Sequence, residues 1–283
     1  MKKEELQQIA RQVRKDVLWE IFSAQSGHPG GSLSAADLGT VLFFDEMDIT
    51  KENAQGQKRD RLVFSKGHAA PLLYALLCEK GLLEKDDLTT FRRINTRLQG
   101  HPNMNYIDGV DMSTGSLGQG ISAAVGMALA NRLDGNTHRI YALLGDGECQ
   151  EGEVWEALMS AAHYQFDNLC VIIDHNGLQI DGKVDDVMKV DSLYDKAIAF
   201  GCHALQINGH DMDAIKTAFA QARQIQGKPT VIIADTIKGK GVSFMENEAG
   251  WHGKAPNATQ FEQAIKDLGE LQPIVTLCQS EVR

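Results

Sequence analysis

The sequence predicts an α/β fold, a parallel sheet flanked by helices on both faces, and two observations predict it. Short, almost wholly apolar runs recur at Arg139–Leu144, Leu169–Asp174 and Thr230–Ala234, the pattern of strands buried on both faces. Stretches of helical period lie between them: Glu151–His163 places Val154, Leu158 and Ala161 on one face, and Met212–Ala222 repeats the arrangement. Strands that alternate with helices require crossover connections, and these generate parallel sheets.

Taken in order, the chain begins with Leu6, Ile9, Ala10, Val13, Val17 and Ile21 at steps of three and four, the apolar stripe of an amphipathic helix. Ser26-Gly27-His28-Pro29-Gly30-Gly31 stops that helix and reads as a loop. A second helical pattern covers about residues 34–44, and Arg61–Phe64 reads as a short strand at an edge. His203–Ile207 supplies a further strand candidate. No repeat, low-complexity tract or Pro/Gly/Ser-rich linker divides the chain, so residues 1–283 are expected to form one domain.

Composition narrows the function. The 283 residues are 43% hydrophobic and 23% charged, an ordinary globular balance, and a formal charge of −10 argues against nucleic acid or an anionic membrane as partner. Five scattered cysteines (Cys78, Cys149, Cys170, Cys202, Cys278) fit reduced thiols, and neither a spanning run of about 18 apolar residues nor a signal peptide is visible. A cytoplasmic location is the expectation.

Ligands of open α/β sheets gather at the carboxyl ends of the strands. There the first run passes into Gly145-Asp146-Gly147 and the next into Asp174-His175-Asn176-Gly177-Leu178. One right-handed crossover separates them, which places Asp146 and Asn176 at like ends of neighbouring or nearly neighbouring strands, about 4.8 Å apart per strand. A carboxylate and an amide oxygen so placed suit a small hard cation, magnesium above others, completed by phosphate oxygens and water. Gly145 and Gly147 would let phosphate approach the backbone at a helix N-terminus. Each word alone is also an ordinary turn, and spacing leaves both readings open.

The surrounding words add a resemblance. SGHPGG (Ser26 to Gly31), DRLVFSKGHAAP (Asp60 to Pro71), GHP (Gly100 to Pro102), TGSLGQG (Thr114 to Gly120), GDGECQEG (Gly145 to Gly152) and WHGK (Trp251 to Lys254) resemble transketolase, in that family's order and over nearly the whole chain. The resemblance implies the thiamine-diphosphate-binding fold and the transfer of a two-carbon ketol unit from a ketose to an aldose. It implies Asp146, Asn176 and the backbone carbonyl of Leu178 as ligands of magnesium, with calcium or manganese as substitutes. Gly147 and His68 would hold the diphosphate, Gly31 would permit its approach, Gly115, Ser116 and Leu117 would lie along the thiamine, and Lys238 would add positive charge. His28, His101 and His252 would face the reacting sugar, His252 also approaching the diphosphate. Imidazoles suit that place because they donate, accept and change charge near neutral pH.

His138, His163, His175, His203 and His210 lie outside the matching words and are read as structural or solvated. Lys66 has two readings, a diphosphate contact or an exposed lysine; Glu151 also has two, a residue of a helix's first turn or a member of a network joining paired coenzyme sites. The resemblance stops where a single-chain transketolase continues into its pyrimidine-binding and carboxyl-terminal domains. A separate C-terminal transketolase-like subunit is therefore expected to supply the activating glutamate and the sugar-phosphate or sulfonate site, in a heterotetramer of two copies of each chain that is inactive without the partner. Alternatives are the alpha subunit of a thiamine-dependent 2-oxoacid dehydrogenase and a noncatalytic coenzyme-binding subunit. The sugar is open between pentose-phosphate exchange and a dedicated sugar or sulfosugar route.

Overall fold

Strands with apolar residues on both faces need a layer of helices on each side, and the computed structural model, which describes residues 1–190 and 192–269, has that arrangement. Strands β1 (Arg61–Val63), β2 (Ile140–Gly145), β3 (Leu169–His175), β4 (His203–Asn208) and β5 (Thr230–Asp235) form one parallel sheet in the order β1-β2-β3-β5-β4. Alternate residues point to opposite faces. Tyr141, Leu143, Cys170, Ile172 and Ile232 pack on one side with residues of α1 (Lys3–Ala24), α2 (Ala70–Glu79) and α5 (Met212–Ala222). Ala142, Leu144, Val171, Ile173 and Ile233 pack on the other with residues of α3 (Gln119–Leu133) and α4 (Gly152–His163).

The five expected strands are found within one residue at each end, and the α4 and α5 expectations hold as closely. The expected helix at about 34–44 is different: two short helices, Pro29–Ser34 and Ala36–Val41, run into a π-helical turn at Leu42–Glu46. Pro29 opens the first of these, where its missing N–H costs nothing, so Pro29, Gly30 and Gly31 are helical rather than loop. Gly39 lets the second short helix approach α2, since a Cβ there would lie 2.6 Å from Cδ1 of Leu76. Four of the cysteines are free and buried; Cys278 falls outside the described residues.

Register sets up the site. Gly145 of β2 lies beside Asp174 of β3, Asp174 beside Ala234, and His175 beside Asp235 of β5, so three adjacent strands end together. The loops after β2, β3 and β5 consequently emerge side by side, and the loop before α2 and the turn at Pro29 close over them.

Candidate functional site

Asp146 leaves β2 buried, with one carboxylate oxygen accepting from the N–H of Gly147 at 2.7 Å and the other from the N–H of Gly177 at 2.5 Å. Burial, and then the neighbouring Asp174, push its pKa up. Asn176 is held from both ends: its amide donates to Asp174 at 3.0 Å, and its Oδ1 accepts from the N–H of Leu178 at 3.2 Å. The carbonyl of Leu178 accepts from Nζ of Lys238 at 2.8 Å. Asp146, Asn176 and Leu178 are thus gathered around Gly177, with Lys238 reaching in from the loop after β5. One carboxylate, one amide oxygen and one carbonyl form an all-oxygen donor set that fits a hard divalent cation. No group of three or more His, Cys, Asp or Glu side chains that could hold a metal occurs among the described residues.

Four histidines form the adjoining wall. Ring centroids of His28 lie 5.5 Å from His68, 6.5 Å from His101 and 5.4 Å from His252, and His68 lies 5.1 Å from His252. Cations stand behind two of them. The Arg92 guanidinium is 3.3 Å from Nδ1 of His28, and the Lys238 ammonium is 3.0 Å from Nδ1 of His252. A cation has only protons to donate, so each Nδ1 is the acceptor and each neutral ring carries its proton on Nε2. Charge and burial agree with this. Burial and then Arg92 lower His28 to about 4, and burial and then Lys238 lower His252 to about 3. His68 is held well below the usual range by burial and Lys66, and His101 is lowered by burial and Arg92. All four are thereby biased toward the neutral ring. Lys238, buried with Lys66 nearby, is itself lowered to about 8.

The glycines among the expected residues mark close approaches. A Cβ on Gly31 would lie 3.2 Å from Nε2 of His68, and one on Gly115, whose φ is +142°, would lie 3.0 Å from the ring of His101. Gly147 faces the side chain of Gln179 at 3.4 Å from a built Cβ. Ser116 and Leu117 are exposed on the loop before α3, beside the cluster and free for contact with a ligand or a second chain. Of the expected residues, His28, His68, His101 and His252 lie together with Gly31 and Gly115 against their rings, and Asp146, Asn176, Leu178 and Lys238 meet around Gly177.

Lys66 corrects one of its two readings. It is 1% exposed, forms an ion pair with Asp174 and donates to the carbonyl of Gly31 at 2.9 Å, so it is not an exposed lysine. Glu151 is exposed at the N-cap of α4 and makes no capping hydrogen bond. His175 pairs with Asp235 at 2.7 Å, away from the four-histidine wall.

Two buried carboxylates were missed by sequence reasoning. Asp174, fully buried, accepts from Ser34 at 2.6 Å, Asn176, Lys66 and Thr236 at 2.5 Å; burial raises its pKa, but Lys66 and these donors together hold it below the ordinary value. Glu148 accepts from Ser65, from the N–H of Gly118 at 3.0 Å and from that of Gly145 at 3.1 Å, which ties the Thr114–Gly120 loop to the end of β2. The available signal was position: Asp174 is the only acid in its apolar run, and Glu148 directly follows Gly145-Asp146-Gly147.

Residues 5–274 match the family described as transketolase, thiamine diphosphate binding domain. The chain is 44% identical to the 6-deoxy-6-sulfo-D-fructose transketolase subunit SqwG of Clostridium sp. (strain MSTE9), with 93% of this chain and 96% of that one aligned. It is 39% identical to one of the subunits of the apulose-4-phosphate transketolase of Phocaeicola vulgatus, over 95% and 96%. Against the crystal structure of transketolase from Campylobacter jejuni the TM-score is 0.89 at 36% identity, and the match covers 95% of this chain but 43% of that one.

Proposed function

The chain belongs to the transketolase family, and from that premise we propose that it is the N-terminal, coenzyme-binding subunit of a two-chain transketolase that moves a two-carbon ketol unit from an anionic ketose to an aldose. The observation that carries the reading is that Lys238 touches both the Asp146–Asn176–Leu178 oxygen set, at the Leu178 carbonyl, and the four-histidine wall, at Nδ1 of His252, so that the two lie side by side. Two relatives matched almost end to end are named as subunits, which supports a separate C-terminal partner carrying the rest of the active site. Their named sugars carry a sulfonate and a phosphate, which supports an anionic terminal group on the substrate. A heterotetramer with two copies of each chain, in the cytoplasm, completes the reading; the free buried cysteines support the compartment.

In this reading Asp146, Asn176 and the Leu178 carbonyl hold magnesium, with calcium or manganese as substitutes, and Gly147, His68 and Lys238 hold the diphosphate. Thiamine diphosphate, when bound, supplies the nucleophilic carbon and the electron sink for carbon–carbon cleavage. The chain's own part is orientation and proton handling. Nε2–H of His28 and of His252 donate to the oxygens of the sugar, where negative charge develops as its carbonyl is attacked, and His101 lines the same cleft. With Nδ1 facing a cation and Nε2 protonated, His28 and His252 only donate here, and the proton that a sugar hydroxyl loses when the bond breaks falls to His101.

The test is co-purification with a chain resembling the carboxyl-terminal half of transketolase, followed by a donor screen with thiamine diphosphate and magnesium. The pair is expected to transfer ketol units from a ketose phosphate or sulfonate, and the single chain to transfer none. Full transfer by the single chain would refute the two-chain reading; consumption of a 2-oxoacid in place of a ketose would refute the reaction.

A further inference from the structure

His210 stands outside the histidine wall, yet it is wired to it. Its Nδ1 lies 2.7 Å from Oδ2 of Asp37, and its Nε2 accepts from the backbone N–H of Ile237 at 2.8 Å. A backbone amide is only a donor, so Nε2 must be the bare nitrogen and Nδ1 must carry the proton toward Asp37. Asp37 is in turn gripped by both terminal nitrogens of Arg14 at 3.0 and 2.7 Å, a bidentate buried pair. The series Arg14, Asp37, His210 thereby fixes one tautomer and one ring orientation, and it ends on a main-chain amide.

That amide belongs to the loop that follows β5. Thr236 donates to Asp174, the carboxylate that also holds Asn176, and Lys238 donates to the Leu178 carbonyl and to Nδ1 of His252. Ile237 lies between them. The turn carrying His210 is packed hard on the same loop: the N–H of Gly209 donates to the carbonyl of Asp235 at 2.8 Å, and a Cβ on Gly209 would lie 2.5 Å from Cγ2 of Thr236. The loop's own N–H groups are anchored in three places, Thr236 on the carbonyl of His175 at 3.1 Å, Gly239 on the carbonyl of Gly30 at 3.0 Å, and Ile237 on His210. The first and second are main-chain contacts at its two ends. His210 supplies a side chain, and it acts at the centre of the Thr236–Lys238 segment.

We propose that His210 is a positioning residue: through the Ile237 amide it sets where Lys238 and Thr236 stand, and so tunes the grip on the diphosphate end of the coenzyme without touching it. The proposal rests on the functional reading given above for the site, but its first measurement does not. In the full chain alone, with no coenzyme or partner, His210→Leu should speed amide exchange at residues 237–239 at least tenfold and leave the interior of β5 protected. In the reconstituted pair it should weaken thiamine diphosphate binding, measured by calorimetry with magnesium, by about tenfold. His210→Gln keeps an acceptor near the place of Nε2 and should restore most of the exchange protection and of the affinity. Unchanged exchange at 237–239, or a Gln variant as impaired as the Leu variant, would overturn the proposal, as would loss of protection with full coenzyme affinity. Should the Leu variant not fold, Asp37→Ala decides: it removes the acceptor of Nδ1–H, frees the ring and should raise exchange at 237–239, and no change there would overturn the role. If the unaltered pair takes up no thiamine diphosphate, it is the proposed function that fails.

Discussion

At the scale of single residues the site is governed by which nitrogen holds a proton. His28 and His252 each present Nδ1 to a cation, and burial adds to the penalty on a second proton. Arg92→Leu should therefore raise the pKa of His28 from about 4 and also that of His101, which feels the same guanidinium. Proton NMR titration of the free chain reads both, and an unmoved His28 would show that burial alone sets it. The same shifts predict how stability follows pH. A folded value below the ordinary 6.5 means that the unfolded chain binds protons first, so the contribution of these rings is complete above pH 6.5 and is lost as pH falls through about 4 for His28 and about 3 for His252. Melting temperature of the free chain should accordingly decline through that window, and His28→Gln should flatten the decline. For the oxygen set, Asp146→Ala removes the single charged donor among Asp146, Asn176 and Leu178. Binding of manganese in the presence of inorganic pyrophosphate, followed by electron paramagnetic resonance, should weaken by at least tenfold. Retained affinity would exclude this carboxylate as a ligand.

At the scale of elements, α1 carries an anomaly. Its buried face is apolar at Leu6, Val13, Val17 and Ile21, but Glu20 is also fully buried there, and neither carboxylate oxygen has a hydrogen-bond partner among the described residues. Burial, and next the charge of Asp16, raise its pKa well above 4.5; Asp16 itself is raised to about 7 by burial, partly offset by Lys85. A carboxyl raised in the folded state stabilises fully below its unfolded pKa and loses that contribution as pH rises toward its folded value. Glu20→Met keeps the length and helix propensity and leaves no orphaned oxygen. It should stabilise the chain by about 1–3 kcal/mol at pH 8, roughly 2–4 °C per kcal/mol by calorimetry, and by less at pH 5. A lower melting temperature at pH 8 would show that the carboxylate has a partner. Elements also explain what was legible in advance. Both-face-buried strands are uninterrupted apolar runs, so all five were readable within a residue. Helix α2 was not readable as a helix, because Ala70 to Cys78 is buried all round and shows no period, and α3 was not, because Gly120, Ala123, Ala124, Gly126 and Ala128 leave little contrast between its faces. At the site, residues on strand ends and glycine-rich words were found, whereas Asp174, Glu148 and the His210 series were not. Their importance lies in partners more than 20 residues away, Ser34, Lys66 and Ser65 for the first two and Asp37 and Ile237 for the third.

At the scale of the molecule, several exposed apolar side chains lie close in sequence to the site residues of a chain whose net charge is −10. Ile180 is 68% exposed and Met188 62%, with Leu117 and Val187 also accessible; Ile180 follows Leu178 and Gln179, Val187 and Met188 end the short helix Val184–Val187, and Leu117 lies two residues after Gly115. Gln150 pins this region by donating to Oε1 of Gln179 at 2.6 Å and to the carbonyl of Met188 at 2.8 Å, so the exposed side chains are presented from a tethered backbone. Apolar side chains held outward around a site that the proposed function leaves half-built are the composition expected of an interface core. Met188→Glu would place a charge where the partner subunit is expected to pack, at a position whose side chain touches solvent in the free chain. Its melting temperature alone should stay within about 1 °C of the unaltered chain, as for ordinary surface substitutions. With the partner, size-exclusion chromatography with light scattering should show loss of the two-plus-two assembly, and ketol transfer should fall with it at low protein concentration and recover as concentration rises. That concentration dependence separates a weakened interface from a damaged site, because a residue acting on coenzyme would depress turnover at every concentration. An intact assembly with normal transfer would instead place the partner on another face.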